Sequence, residues 1–149
     1  MKKKNSKEWY DIPENKKYHN DWMNVYNTKR YKNDPTFRVK ALLQSQLNVF
    51  LKQVGTIKEN RTHEILGYNA REFHDHLESH FQKGMTWDNQ GKGGWVIDHV
   101  RPKSWFTKGQ EKECFALSNL MPEWEDWNDW KRNNFEGSSD QYPMPRKSV

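Results

Sequence analysis

An aspartate and a histidine stand side by side at Asp98-His99, at the end of the run Trp95-Val96-Ile97, with Arg101 and Pro102 just beyond. Asn119-Leu120-Met121-Pro122 and Asn128-Asp129-Trp130-Lys131 follow further along the chain. Hydrolysis of a phosphodiester needs a base that takes a proton from water, a cation that neutralises charge on the phosphate, and stabilisation of the departing 3′ oxygen. His99 suits the first task, because a neutral imidazole titrates near working pH. Asp98 and Asn128 suit the second, because Mg²⁺ takes oxygen ligands, keeps several waters and is commonly held by one or two protein groups. Lys131, one turn beyond Asn128, is expected to reach the phosphate as a point charge.

The chain that must position these groups has 149 residues, enough for one domain with a modest core or a compact module carrying an extension. Only 33% of residues are hydrophobic while 14% are aromatic, with eight tryptophans, so a small core built on large rings is expected. Cys114 is the single cysteine, which excludes an internal disulfide and a thiolate zinc cluster and leaves oxygen or imidazole to hold any metal. No apolar run approaches the roughly 18 residues that span a bilayer, and Met1-Lys2-Lys3-Lys4 leads into polar residues rather than a signal core. A soluble protein of the cytoplasm is the expectation. The net charge of +5 is uneven: residues 1–68 hold 14 Lys/Arg against 7 Asp/Glu, and residues 69–149 hold 11 against 13. A basic half joined to a near-neutral half with ordered acids suggests that one part holds a polyanion and the other acts on it.

Residues 1–15 lack periodicity and contain Pro13, so they read as an arm. Trp22, Val25 and Tyr26 predict a short helix with a cationic face over about Lys16 to Arg30. Asp34-Pro35 predicts a helix start, and Leu43, Leu47, Phe50, Leu51 and Val54 carry an apolar stripe to a stop at Gly55. Asn69 with Glu72 predicts a capping box, opening a helix that carries Phe73, Leu77 and Phe81 to about Gln82. Val96-Ile97 predict a strand, Lys103 to about Gln110 a loop, Phe115 to Leu117 a second strand, and Pro122 the start of a helix holding Trp124, Trp127, Asn128 and Lys131. Trp124, Trp127 and Trp130 are expected to pack rather than stack on bases. From Asn134 to the Arg146 and Lys147 region the composition predicts a flexible tail.

The segment from about Leu66 to Lys131 resembles the HNH endonucleases of the ββα-metal superfamily, especially small bacteriophage-type members. The resemblance rests on Gly84-Met85-Thr86-Trp87, Ile97-Asp98-His99, Pro102, Asn119-Leu120-Met121-Pro122, Trp124 and Asn128. It implies an α+β fold: a ββα-metal core at 66–133, with a basic, mainly helical extension at 1–65 and a tail at 134–149. The site it implies comprises His99, Asn119 and Lys131 as the catalytic set and Asp98 with Asn128 as ligands of one metal. Within that set His99 would be the general base, and Asn119 would secure the loop and orient it. Val96 stands where many relatives have a histidine, and Asn128 at the third position points to Mg²⁺ or Mn²⁺ rather than a transition metal.

Double-stranded DNA is the partner this implies, gripped by Lys29, Arg30, Lys32, Arg38, Lys40, Arg101, Lys103 and Arg132. A monomer or weak homodimer would nick one strand and leave 5′-phosphate and 3′-hydroxyl ends. A phage, prophage or mobile-element origin is expected, acting in a bacterial host in homing, interference or genome packaging beside a terminase or another phage protein. His74, His76 and His80 could suggest zinc, but with no thiol nearby they are expected to be surface residues, some near phosphate. From other classes, a catalytically silent HNH-fold DNA-binding protein and a ribonuclease toxin stand as alternatives. A pure binding protein would have no physical reason to keep Asp98, His99 and Asn128 together.

Overall fold

The computed structural model describes residues 6–143 and is α+β, mostly helical with a small two-stranded antiparallel sheet. The elements are α1 (Ser6–Tyr10), α2 (Pro13–Asn33), α3 (Pro35–Gln53), α4 (Thr62–Leu66), α5 (Ala70–Ser79), β1 (Trp95–His99), α6 (Glu111–Cys114), β2 (Leu120–Trp124) and α7 (Glu125–Lys131). Contacts divide the chain into two units, residues 1–38 and 39–149, with the division inside α3.

In the first unit the expected arm is helical instead. Pro13 sits at the start of α2, where its missing N–H has no intrahelical partner to lose. Asn15 caps the carbonyl of Trp9 at 3.0 Å, and the Tyr10 ring meets His19 edge-on at 5.1 Å. The helix expected over 16–30 thus runs from Pro13 to Asn33, and none of its residues is buried. Asp34 ends α2 and begins α3. Its carboxylate accepts from the Phe37 N–H at 3.0 Å and from Arg30 at 3.2 Å, and these bonds hold its pKa below the usual value.

The second unit is built on the stripe of α3. Val39, Leu43, Leu47, Phe50 and Leu51 join Leu66, Phe73, Leu77, Trp95, Phe115 and Leu120 in one core. The sequence places a boundary near residue 65, but α3 supplies a wall of that core, so the division falls earlier. Trp95 is fully buried. Its indole N–H donates to the Thr86 carbonyl at 2.6 Å, and its rings meet Phe81 at 4.9 Å and Trp87 at 5.3 Å. The chain enters β1 through Gly94, where a Cβ would lie 1.7 Å from the Asn89 carbonyl oxygen, so only glycine fits.

Three local expectations are corrected. The second strand is Leu120–Trp124 rather than Phe115–Leu117; Phe115 instead caps α6, buried against Phe50 at 5.7 Å. Pro122 does not start a helix but pairs with Ile97 inside β2. A two-stranded sheet leaves one side of each strand unpaired, and a proline is tolerated with its missing N–H there. The helix expected to reach Gln82 ends at Ser79, although Phe81 still packs on Trp87 and Trp95.

The tail expected from Asn134 is tied down as far as it is described, while Met144, Pro145, Arg146 and Lys147 lie outside the described residues. The buried carboxylate of Glu123 accepts from the Ser139 N–H at 3.0 Å, the Ser139 hydroxyl at 2.7 Å and the Gln82 amide at 2.8 Å. Trp127 donates to the Tyr142 carbonyl at 2.7 Å, and Phe135 packs on Trp130 at 5.3 Å, so the tryptophans of α7 largely serve packing.

The capping box of α5 forms as its sequence predicts. Asn69 accepts from the N–H groups of Arg71 at 2.9 Å and Glu72 at 3.0 Å, while the Glu72 carboxylate accepts from the Asn69 N–H at 2.7 Å. Asn69→Ala is expected to destabilise the protein by about 1 kcal/mol, measured by urea denaturation, with the end point of the unfolding baseline unchanged.

Candidate functional site

The pairing of β1 with β2 sets Asp98 opposite Met121 and His99 opposite Leu120, and α7 follows β2 directly, so the end of β1 lies beside one face of α7. A pocket of about 420 Å³ opens there, lined by Asp98, His99 and Asn128 together with Lys103 and Arg132. Gln46 of α3, Asp129 and Asn133 complete its rim.

Lys131 is not on that rim. It is fully buried, and its ammonium donates to the Asp98 carboxylate at 2.6 Å, the His99 carbonyl at 2.7 Å and the Val100 carbonyl at 3.0 Å. All three donors of the ammonium are used, so the expected contact of Lys131 with phosphate is replaced by a structural one. The bond spends one Asp98 oxygen and leaves the other. Burial pushes the Asp98 carboxyl up to about 6, against the opposing pull of Lys131.

His99 lies against the Phe115 ring at 5.0 Å, and its Nε2 is buried without a hydrogen-bond partner among the described residues. Burial, with the nearby Lys103 and Lys131 charges, lowers its pKa to about 3, so the imidazole is neutral but a weaker base than the expected group titrating near working pH. Asn119 closes the long β1–β2 connection. Its side-chain oxygen accepts from the Arg101 N–H at 2.8 Å, and its amide donates to the carbonyls of Cys114 at 2.8 Å and Arg101 at 3.3 Å. Its own carbonyl accepts from the Val100 N–H at 2.9 Å, which fixes the backbone directly after His99.

Asn128 lines the pocket and makes no side-chain hydrogen bond among the described residues, so its amide oxygen is unspent. With the second Asp98 oxygen it offers two hard donors and no sulfur. These residues therefore fit a divalent cation such as Mg²⁺ or Mn²⁺ that completes its shell with water.

Arg132, just past α7, is the single non-glycine residue with positive φ among the described residues, at φ 48° and ψ −128°. Such a backbone costs on the order of 1–3 kcal/mol and persists only where its surroundings over-determine it. The Arg132 guanidinium donates to the Asp129 carbonyl at 3.1 Å, at the mouth of the pocket.

The other expected DNA-contacting residues do not share this pocket. Lys29 and Lys32 line a shallow depression on α2, Arg30 lies over the Phe37 ring at 4.5 Å, and Arg38 donates to the carbonyls of Tyr31 at 3.0 Å and Lys32 at 3.2 Å. Lys40 lines a separate cavity on α3, and Arg101 lies over Phe106 at 4.8 Å and within 3.8 Å of Glu136.

His74 and His76 are not the surface residues expected. His74 is buried and stacks on Trp87 at 4.3 Å, and His76 is half-buried and bonds to the Leu120 carbonyl at 2.7 Å; burial lowers its pKa against the opposing pull of that bond. No residue pattern marks Asp75 and Glu78, whose oxygens lie with a His74 nitrogen all within 4.8 Å of one another, a group able to hold a metal. Gln46 was also missed, although a polar residue one position before Leu47 on the apolar stripe is a detectable exception.

No protein-family model and no solved structure matches the chain. It is similar to two proteins of Acanthamoeba polyphaga mimivirus: 37% identical over 92 residues to uncharacterized protein L426, and 30% identical over 92 residues to uncharacterized protein L246. Each match takes in 60% of this chain and 39% of the relative, so the chain spans about two-fifths of the length of these curated relatives. No helix of the described residues is long and apolar enough to cross a membrane.

Removing the Lys131 charge strands the Asp98 carboxylate in a buried place. Lys131→Met is expected to lower stability by about 3–5 kcal/mol in chemical denaturation, and adding Asp98→Asn is expected to recover part of that loss. Equal destabilisation by the double and single variants would show that the pair is not the tie.

Proposed function

We propose that the chain is a metal-dependent endonuclease of the HNH type, acting on double-stranded DNA and cutting one strand at a time. The observation that carries this reading is the convergence of Asp98, His99 and Asn128 on one open, cation-rimmed pocket at the junction of a β-hairpin and the helix that follows it. A helical, basic first unit is in keeping with a grip on DNA phosphates through Lys29, Arg30, Lys32 and Arg38.

Asp98 and Asn128 would hold one Mg²⁺ or Mn²⁺ ion. Bound there, it would neutralise charge on the phosphate and on the departing 3′ oxygen. His99, kept neutral by its burial, takes the proton of the attacking water. Phe115 and the Asn119-tied backbone fix the orientation of its ring. Arg132 and Lys103, which line the pocket, rather than the buried Lys131, would be the cations that meet the phosphate, and the strained Arg132 backbone is explained if it serves to aim that guanidinium into the pocket. The products would be a 5′-phosphate and a 3′-hydroxyl. A virus-borne setting is in keeping with the mimivirus relatives.

The test is cleavage of supercoiled plasmid. The parent is expected to give relaxed circles with Mg²⁺ and none with EDTA, while His99→Ala is expected to slow nicking by about 10²–10⁴-fold. A His99→Ala variant as fast as the parent would remove the assignment, and metal-dependent binding without any nicking would favour a silent DNA-binding module.

A further inference from the structure

A second cavity, of about 580 Å³, opens in the same unit between α3, the segment leading into α4 and the start of α5. Its lining holds four fixed cations, Lys40, Lys58, Arg61 and Arg71, and no carboxylate. Among the described residues Lys40 and Arg61 make no ion pair. Lys58 donates to the neutral Thr62 hydroxyl at 2.7 Å, and Arg71 has only an exposed contact to Asp75 at 3.1 Å. Like charges gathered round one concavity raise its potential and favour entry of an anion.

The cavity is larger than an inorganic anion needs and is not purely polar. Leu43 and Tyr68, 5% and 9% exposed, give it an apolar wall. The Tyr68 hydroxyl is committed to the Phe115 carbonyl at 2.6 Å, so the ring is what it offers to a ligand. Gln44 makes no side-chain hydrogen bond among the described residues, which leaves a donor and an acceptor for the edge of a planar polar group. An apolar wall, an unspent amide and a cluster of cations match the three parts of a nucleotide.

We propose that this cavity binds a nucleoside phosphate, either as a free mononucleotide or as a terminal or unstacked nucleotide of a strand. The proposal does not depend on cleavage at the Asp98–His99 pocket, and its readout is binding alone.

The experiment is calorimetric titration of the full chain, without divalent metal, with dAMP, deoxyadenosine, inorganic phosphate and a 5′-phosphorylated trinucleotide. We expect dAMP to bind at least about tenfold more tightly than deoxyadenosine or phosphate, and Lys40→Ala with Arg61→Ala to weaken it by at least about tenfold. Both side chains are exposed and without ion pairs, so the melting temperature should not move. Tighter binding of the trinucleotide than of dAMP assigns the cavity to a strand, and equal or weaker binding assigns it to a free nucleotide. Phosphate binding as tightly as dAMP, an unchanged affinity in the double variant, or no binding of either nucleotide at millimolar concentration would overturn the proposal.

Discussion

The fully buried ammonium of Lys131 holds the C-terminal unit's hairpin to its last helix. Donating to the Asp98 carboxylate and to the two carbonyls that follow it, Lys131 joins α7 to the end of β1 where the ladder with β2 stops. A buried lysine is costly unless every donor is met. Here every donor is met, by groups at the end of β1 and on the residue just beyond it. The tie therefore fixes both how α7 lies on the sheet and how the chain leaves His99.

Much else follows from that anchor. With Lys131 turned inward, Asn128, one turn earlier, faces the pocket with its amide unspent. Arg132, one residue later, leaves the helix in a strained conformation at the pocket mouth. Asn119 works from the other side, joining the far end of the β1–β2 connection to Arg101 and to the backbone after His99. Aromatic packing of Trp95 and Phe115 supplies the rigid floor beneath, and the Glu123–Ser139 bonds bring the following segment back over β2.

The sequence made the long-period features legible. The α3 stripe, the Asp34 start and the Asn69 capping box are each set by neighbours three or four residues apart, and each forms within a residue or two of its expected bounds. Asp98, His99 and Asn128 were also legible as a set, because their residue types and spacing are distinctive. Local propensity assigns Pro122 to a helix start, whereas its place in β2 is decided by pairing with Ile97, which local sequence does not carry. The inward turn of Lys131 is illegible for a related reason: its partner Asp98 lies 33 residues away, and only the fold brings the two together. Arg132 had the opposite fate, gaining importance from a backbone angle that no residue pattern announces.

If Asp98 and Asn128 are the metal ligands, then manganese should find them. Anomalous diffraction from crystals soaked in Mn²⁺ is expected to show one peak between the free Asp98 oxygen and the Asn128 amide oxygen, lost in Asn128→Ala. A peak instead at the His74, Asp75 and Glu78 group, or none near Asp98, would contradict the proposed metal-dependent site.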